Sequence, residues 1–243
     1  MSDIETITVP DLLRGYPGVA FGGYVAGVLA RRAEAGTVRV DFRRPTPVDV
    51  PVGLARTADG GAVLTGADGV LATAVPDEAD LAALGVPEPP SWSEASAAAE
   101  AYRAAPPAGA VDCFGCGLDR TPDTGLRLHC GGVPGRDLVA TAWTPGPALA
   151  DADGMLPAEL VWGALDCPGN AAGRQLGTMP GGAVTASLTA RLLRPVPISA
   201  RLVSYAWVVA EEGRKHRVGA ALATAEGDLC GTSSALWVAP RPA

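Results

Sequence analysis

The pattern of apolar and polar positions along the first half of the chain predicts a strand, then one helix and then several antiparallel strands. Phe21, Val25, Val28 and Leu29 recur at helical spacing, which predicts a helix over Phe21–Arg32. Three apolar runs separated by Asp and Gly turn residues follow, and this pattern is typical of antiparallel hairpins. The predicted strands are Val50–Ala55, Ala62–Thr65 and Val70–Val75.

The same order of elements recurs in the second half of the chain. A helix is predicted over Leu160–Ala172, and three apolar runs with Gly-containing turns follow it. The predicted strands are Ala200–Val209, His216–Thr224 and Leu229–Val238. The helix is separated from these strands by a glycine-rich segment, Gly169–Gly182, which is predicted to form a loop.

A short motif marks the same point in both halves. Arg44-Pro45-Thr46-Pro47-Val48 recurs 150 residues later as Arg194-Pro195-Val196-Pro197-Ile198, and in each half it is predicted to lead into the strands. The shared motif and the shared order of elements indicate two tandem repeats. One helix on a small sheet leaves an open edge and an uncovered face, so the two copies are expected to share one sheet.

The expected organisation is therefore a first repeat over residues 1–76, a linker over 77–112 and a second repeat over 113–243. Within the proline-rich linker, Ser91 and Glu94 have the spacing of a capping box in front of the alanine-rich stretch Ala95–Ala105. The linker is thus predicted to carry one short helix.

Composition narrows the classes of function. Apolar residues make up 48% of the 243 residues and charged residues 19%, which fits a chain with a sizeable core. The net charge of −7 argues against a general nucleic-acid binder, although a local arginine cluster could still hold phosphates.

The longest mainly apolar run, Gly18–Ala30, is too short to cross a bilayer. Without a visible signal peptide, and with an odd count of five cysteines, the chain is expected to be a reduced cytoplasmic protein.

Several short motifs resemble those of a known family. Phe21-Gly22-Gly23-Tyr24-Val25-Ala26 resembles the helix start of the N-terminal repeat in double-hotdog acyl-CoA thioesterases. The second half is similar to the phenylacetyl-CoA thioesterase type of hotdog protein. Cys113-Phe114-Gly115-Cys116-Gly117 and Gly125-Leu126-Arg127-Leu128 resemble the opening of uncharacterised actinobacterial members. This resemblance implies an α+β double hotdog, with an antiparallel sheet wrapped around two central helices, that hydrolyses a thioester of coenzyme A or of an acyl-carrier protein.

The resemblance also implies a catalytic site shared between the repeats. In the phenylacetyl-CoA type, an Asp follows the His of a His-Gly-Gly string by nine positions, and placing Pro157 on that His puts Asp166 on the acid. The same alignment in the first repeat puts Phe21 on the His and Ala30 on the acid. The expected catalytic set is therefore Asp166, as general base or nucleophile, with the backbone amides of Gly22 and Gly23 polarising the thioester carbonyl.

This sequence departs from the family pattern at three positions. Pro157 stands in place of the His and Glu159 in place of a Gly, and Pro168 is expected to kink or end the helix that carries Asp166. The expected substrate-binding residues are Phe21, Glu159, Trp162, Arg44 and Arg194. Solvated strand ends remain an alternative role for the two arginines, and a place in the core an alternative for Trp162.

Other kinds of site are less well supported. Cys113, Cys116 and the adjacent pair His129-Cys130 could supply four zinc ligands, but adjacent ligands make tetrahedral closure awkward, so a turn and no metal are expected. Cys167 is interpreted as a buried cysteine. The chain has neither a Gly-x-Ser-x-Gly elbow nor a phosphate-binding loop, and no cofactor is expected.

Two other functions remain open. A hotdog hydratase or dehydratase typically uses an Asp-His pair, and this chain has only two histidines. A non-catalytic acyl-thioester binder is compatible with the replaced His and Gly. The expected partner is an acyl-CoA or acyl-carrier-protein thioester, with no nucleic acid and no membrane, and the chain could form a homodimer of double hotdogs.

Overall fold

The structure, a computed structural model, describes residues 4–109 and 112–241. The first half contains β1 (Glu5–Thr8), β2 (Arg14–Tyr16), β3 (Val19–Ala20), α1 (Gly22–Ala30), β4 (Thr37–Phe42), β5 (Pro51–Arg56), β6 (Ala62–Gly66) and β7 (Gly69–Pro76). Helix α2 (Trp92–Ala104) follows. The second half contains β8 (Gly131–Gly132), β9 (Val139–Trp143), α3 (Ala158–Gln175), β10 (Val184–Leu192), β11 (Leu202–Glu212), β12 (Lys215–Thr224) and β13 (Leu229–Val238).

Eleven of these strands form one sheet, in the order β1-β5-β6-β7-β4-β10-β13-β12-β11-β9-β8. All of its strand pairs are antiparallel, and the two halves of the chain meet where β4 pairs with β10, with Val40 opposite Leu188. The sheet packs around α1 and α3, whose apolar side chains share one core with its inner face. The predicted α+β architecture, with an antiparallel sheet around two central helices, is confirmed.

Matching hydrogen bonds occur at corresponding places in the two halves. The Ala20 N–H donates to the Thr46 carbonyl over 2.8 Å, and the Leu156 N–H donates to the Val196 carbonyl over the same distance. The next residues, Phe21 and Pro157, are the N-caps of α1 and α3. These contacts support the interpretation of the halves as repeats and align Phe21 with Pro157.

Helices α1 and α3 cross closely in antiparallel directions because glycines lie at the contact. A Cβ placed on Gly23, near the start of α1, would lie 2.7 Å from the Cα of Gly163. One placed on Gly27, a turn later, would lie 2.4 Å from the Cα of Glu159, at the start of α3. Real side chains do not tolerate such distances, so this approach of the two backbones requires glycine. The close crossing brings the first turn of α1 beside the middle of α3.

The linker contains the predicted helix. The Ser91 hydroxyl accepts a hydrogen bond from the Glu94 N–H, and the Glu94 carboxylate accepts one from the Ser91 N–H, so the capping box at the start of α2 is confirmed. Ala95 and Ala98 of this helix pack against the outer face of the second half of the sheet. The expected linker, 77–112, includes residues 110 and 111, which lie outside the described residues, as do the chain ends 1–3 and 242–243 of the expected repeats.

Pro168 was expected to kink or end its helix, and the helix does not end there, because α3 continues through it to Gln175. A proline cannot donate to the carbonyl four residues earlier, which here belongs to Ala164. The Ser204 hydroxyl on β11 donates to that carbonyl instead, over 2.9 Å. The hydrogen bond that Pro168 removes is thus replaced from the sheet.

Two further expectations need correction. The segment Gly169–Gly182 is not all loop, since α3 includes its first seven residues, up to Gln175. The Arg-Pro-x-Pro motifs also do not enter strands directly: each follows one strand, β4 or β10, and precedes the next by several residues. The strands after each motif match their predicted positions to within a few residues. None of the helices within the described residues combines the length and hydropathy that a membrane crossing requires.

Candidate active site

A cavity of about 300 Å³ lies where the start of α1, the middle of α3 and strand β10 meet. Both halves of the chain contribute to its wall. Most of that wall is apolar, with Val25 and Phe42 from the first half and Trp237 from the second. A largely apolar cavity with a few polar groups is the usual form of a small-molecule site.

Asp166 is the carboxylate of this cavity and is only 2% exposed. Its Oδ1 accepts a hydrogen bond from the Thr185 hydroxyl on β10 over 2.9 Å, and the backbone amide of Gly23 on α1 also donates to it. Burial raises the pKa of Asp166 to about 7, although the bonds from Thr185 and Gly23 act in the opposite direction. A carboxyl group that titrates near neutral pH is suited to accept a proton.

The N-terminus of α1 lies directly beside this carboxylate. A Cβ placed on Gly22 would lie 3.3 Å from Oδ2 of Asp166. The N-cap residue, Phe21, has no side-chain hydrogen bond to the first turn, so the turn's N–H groups are not capped by it. Such groups, together with the helix dipole, favour negative charge. One cavity therefore combines a carboxylate from α3 with an electropositive helix end from α1.

Polar groups also lie on the rest of the cavity wall. Arg43 and Arg44 line it, and Nη1 of Arg44 donates to the Val70 carbonyl over 3.2 Å. Two other lining residues, Thr46 and Trp237, each have a buried side-chain polar atom, Oγ1 and Nε1, without a hydrogen-bond partner in the described part of the chain. Buried polar atoms usually have a partner, so these two could bond to a ligand or to water.

The structure brings part of the expected set together. Phe21, Gly22, Arg44 and Asp166 line the cavity. Gly23 does not line it, and its backbone N–H, expected to polarise the thioester carbonyl, donates to Asp166 instead.

Three expected substrate contacts lie elsewhere. Glu159 forms an ion pair with Arg31, and Trp162 is a core residue. Nη1 of Arg194 lies 3.3 Å from Oδ2 of Asp228 at the surface. The repeated motif predicts the same role for Arg194 and Arg44, but Arg44 lines this cavity and Arg194 does not.

The reciprocal position has no equivalent chemistry. Ala30 occupies the place on α1 that Asp166 occupies on α3, and Glu159 in the first turn of α3 is paired with Arg31. Neither histidine lines the cavity: His129 stacks on Tyr102, and Nδ1 of His216 lies 2.8 Å from Glu211. An Asp-His pair of the hydratase type is therefore not formed with Asp166.

Two features of the site carry no signal in the sequence. Thr185 contacts Asp166 only because β10 passes beside α3. The turn at Cys113–Cys116 is confirmed, but its two cysteines also line the cavity together with Cys167 of α3. Cys167 is buried, as predicted, but nothing in the spacing along the chain connects it with that turn.

No family model matches the chain, and no curated protein matches its sequence. Solved structures do match it over nearly its whole length. A thioesterase II candidate from Thermobifida fusca aligns with a TM-score of 0.63 and 16% identity, covering 98% of this chain and 92% of that one. The tesB protein of Mycobacterium avium subs paratuberculosis aligns with a TM-score of 0.60 and 16% identity, covering 98% and 93%.

A third structure carries the name of the fold. A conserved protein of unknown function with hot dog fold from Alicyclobacillus acidocaldarius aligns with a TM-score of 0.53 and 11% identity, covering 100% of this chain and 97% of that one. Identities this low establish the fold and leave the activity to be argued from the site. The sheet order, the two central helices and these alignments identify the architecture of this chain as a double hotdog.

Proposed function

We propose that this protein hydrolyses an acyl thioester of coenzyme A or of an acyl-carrier protein, with Asp166 as its catalytic carboxylate. The observation that carries the proposal is the position of Gly22 against Asp166: a Cβ at Gly22 would be 3.3 Å from Oδ2. A thioester carbonyl bound in the cavity beside the two would meet an electropositive helix end and a carboxylate at once.

The hydrolysis involves two bond changes at the carbonyl carbon. Asp166 takes a proton from a water molecule while the water oxygen attacks the carbon, and the N-terminus of α1 stabilises the resulting oxyanion. The C–S bond then breaks, and the leaving thiolate takes the proton from Asp166, which regenerates the carboxylate and gives a carboxylic acid and a thiol. Direct attack by Asp166, through an anhydride that water opens, would use the same residues.

The substrate parts follow from the chemistry of the wall. The apolar surface around Val25, Phe42 and Trp237 suits a hydrocarbon acyl group. Arg43 and Arg44 provide positive charge at the same cavity, which suits the phosphates of coenzyme A or of a carrier's phosphopantetheine arm.

The test is turnover of a panel of acyl-CoA and acyl-phosphopantetheine substrates by the wild-type chain and by Asp166→Asn. The variant keeps the shape of the side chain and removes the base, so kcat should fall by ~10²–10⁴-fold. Asp153→Asn is the matched control, since Asp153 is an exposed acid in a turn outside the cavity and its loss should leave the rate unchanged.

Two results would contradict the proposal. Near-full turnover by a folded Asp166→Asn chain would exclude this carboxylate as the catalytic group. Acyl-CoA binding by the wild-type chain, measured by calorimetry, without turnover of any substrate in the panel would establish a non-catalytic binder instead.

A further inference from the structure

Three cysteine side chains converge on the wall of the cavity. The Sγ atoms of Cys113, Cys116 and Cys167 all lie within 4.8 Å of one another. Cys113 and Cys116 belong to the turn before Gly117, whereas Cys167 lies on α3, directly after Asp166. None of the three is in a disulfide. Two segments far apart in the chain are thus joined by three thiols.

The turn is shaped to hold its sulfurs in place. The Gly115 N–H donates to Sγ of Cys113 over 3.2 Å, and the Gly117 N–H donates to the Cys113 carbonyl over 2.7 Å. Both glycines are sterically required: a Cβ on Gly115 would lie 2.9 Å from Sγ of Cys167, and one on Gly117 would lie 2.7 Å from the Cys113 carbonyl oxygen. An N–H that donates to sulfur stabilises a thiolate, which is the form that binds metal.

The spacing of the three sulfurs suits a zinc ion. A Zn–S bond of about 2.3 Å in a tetrahedron puts sulfurs roughly 3.8 Å apart, so sulfurs within 4.8 Å need to move little. Zinc sites that keep one exchangeable position use three protein ligands. The fourth position also has room, because a second cavity of about 20 Å³ borders Cys116 and Cys167. A space of that size holds about one water molecule.

We propose that Cys113, Cys116 and Cys167 bind one Zn²⁺ ion, with a water molecule as the fourth ligand. From the sequence no metal is expected, and the candidate ligands there are Cys113, Cys116, His129 and Cys130. The proposal departs from that expectation because the structure supplies a third thiol, Cys167, from α3. His129 is instead stacked on Tyr102, with ring centroids 5.9 Å apart. The ion links the turn to α3 at the residue next to Asp166 and so stabilises the wall of the cavity. This structural role does not require that the cavity hydrolyse a thioester.

The experiment measures metal binding by the purified, reduced full-length chain. After chelator treatment, the chain is reloaded with Zn²⁺ and its metal content is determined by mass spectrometry. Co²⁺ is then substituted as a spectroscopic probe, because thiolate coordination gives intense sulfur-to-cobalt charge-transfer bands. About one zinc per chain and these cobalt bands are expected.

Matched variants distinguish this site from nonspecific binding by thiols. Cys116→Ser and Cys167→Ser should each lose stoichiometric zinc and the charge-transfer bands. Cys130→Ser and Cys230→Ser, which change buried cysteines outside the cluster, should keep both. Circular dichroism of the metal-free proteins checks that each variant is folded. Cys116 is only partly buried, so its serine variant is the one expected to fold most readily.

Three outcomes would overturn the proposal. The first is a wild-type chain that retains no stoichiometric zinc after reloading. The second is equal metal binding by folded cluster variants and folded control variants. The third is a disulfide within the cluster, found by mass mapping of the chain as purified, that leaves no zinc bound once it has been reduced.

Discussion

The Thr185 hydroxyl donates a 2.9 Å hydrogen bond to the Asp166 carboxylate, from strand β10 to helix α3. This bond orients the carboxylate, so Thr185 is a positioning residue for the proposed reaction. Thr185→Val should lower kcat by about tenfold or more, since a hydrogen bond to a charged group contributes ~1.5–3 kcal/mol. Steady-state kinetics on an active thioester would measure the change. Thr185→Ser keeps the hydroxyl and should restore most of the rate, and a serine variant as slow as the valine variant would count against this role.

The crossing of α1 and α3 should depend on Gly23. Its added Cβ would lie 2.7 Å from the Gly163 backbone, so Gly23→Ala should force the helices apart and destabilise the fold. A loss of about 1–3 kcal/mol in the free energy of unfolding is expected from overpacking, measured by urea denaturation. Gly36→Ala is the control, because a Cβ there meets no atom within 4 Å. Equal stability of the two variants would show that the crossing adapts.

Only one of the two symmetry-related sites is expected to work. Ala30 occupies the position on α1 that Asp166 occupies on α3, but the start of α3 carries Glu159, paired with Arg31, where α1 has glycine. Ala30→Asp in an Asp166→Asn background should therefore remain as slow as Asp166→Asn alone. The measurement is thioester turnover by the double variant. Recovery of activity would mean that the N-terminus of α3 can also stabilise an oxyanion.

The two arginines of the repeated motif should differ in their effect on substrate binding. Arg44 lines the cavity, whereas Arg194 is near Asp228 at the surface. Arg44→Gln should raise KM for an acyl-CoA by about tenfold, or ~1.4 kcal/mol, through the loss of a charged contact to phosphate. Arg194→Gln should leave KM unchanged.

A substrate comparison separates phosphate binding from a general effect of the Arg44 substitution. An acyl-pantetheine thioester has the same acyl group and thioester but no phosphates. Its KM should be the same for the wild-type chain and for Arg44→Gln. An equal rise in KM for both substrates would show that Arg44 acts on the shape of the cavity.

Much of the fold could be predicted because its signals are local. The capping box of Ser91 and Glu94 lies within four residues and places α2 correctly. Gly and Asp at the turns between the predicted strands mark the hairpins, since these residues adopt turn conformations readily. The nine-position spacing from Pro157 to Asp166 lies within one helix, so aligning the two helix starts locates the carboxylate in the chain.

Only the tertiary structure decided how these parts interact. By sequence, Pro168 is expected to disrupt its helix, because it cannot donate to the Ala164 carbonyl. In the structure the Ser204 hydroxyl of β11 donates to that carbonyl instead. Glu159 stood in place of a glycine of the expected site, and its partner proved to be Arg31 on the other helix. Each of these contacts joins residues far apart in the chain, so the spacing of residues along the sequence does not predict them.

The sequence by itself predicted the two central helices, the duplicated pattern and the residue types available for chemistry, because hydrophobic periodicity, turns and caps depend on near neighbours. It did not predict β4 and β10, the strands that join the two halves of the sheet. The tertiary structure alone decided that Thr185 and Gly23 contact Asp166, and that Cys167 joins the turn of Cys113 and Cys116. Those contacts depend on how closely α1 and α3 cross and on the position of β10 beside α3. Such packing is a property of the whole folded chain. Here it depends on the glycines that let α1 and α3 cross closely.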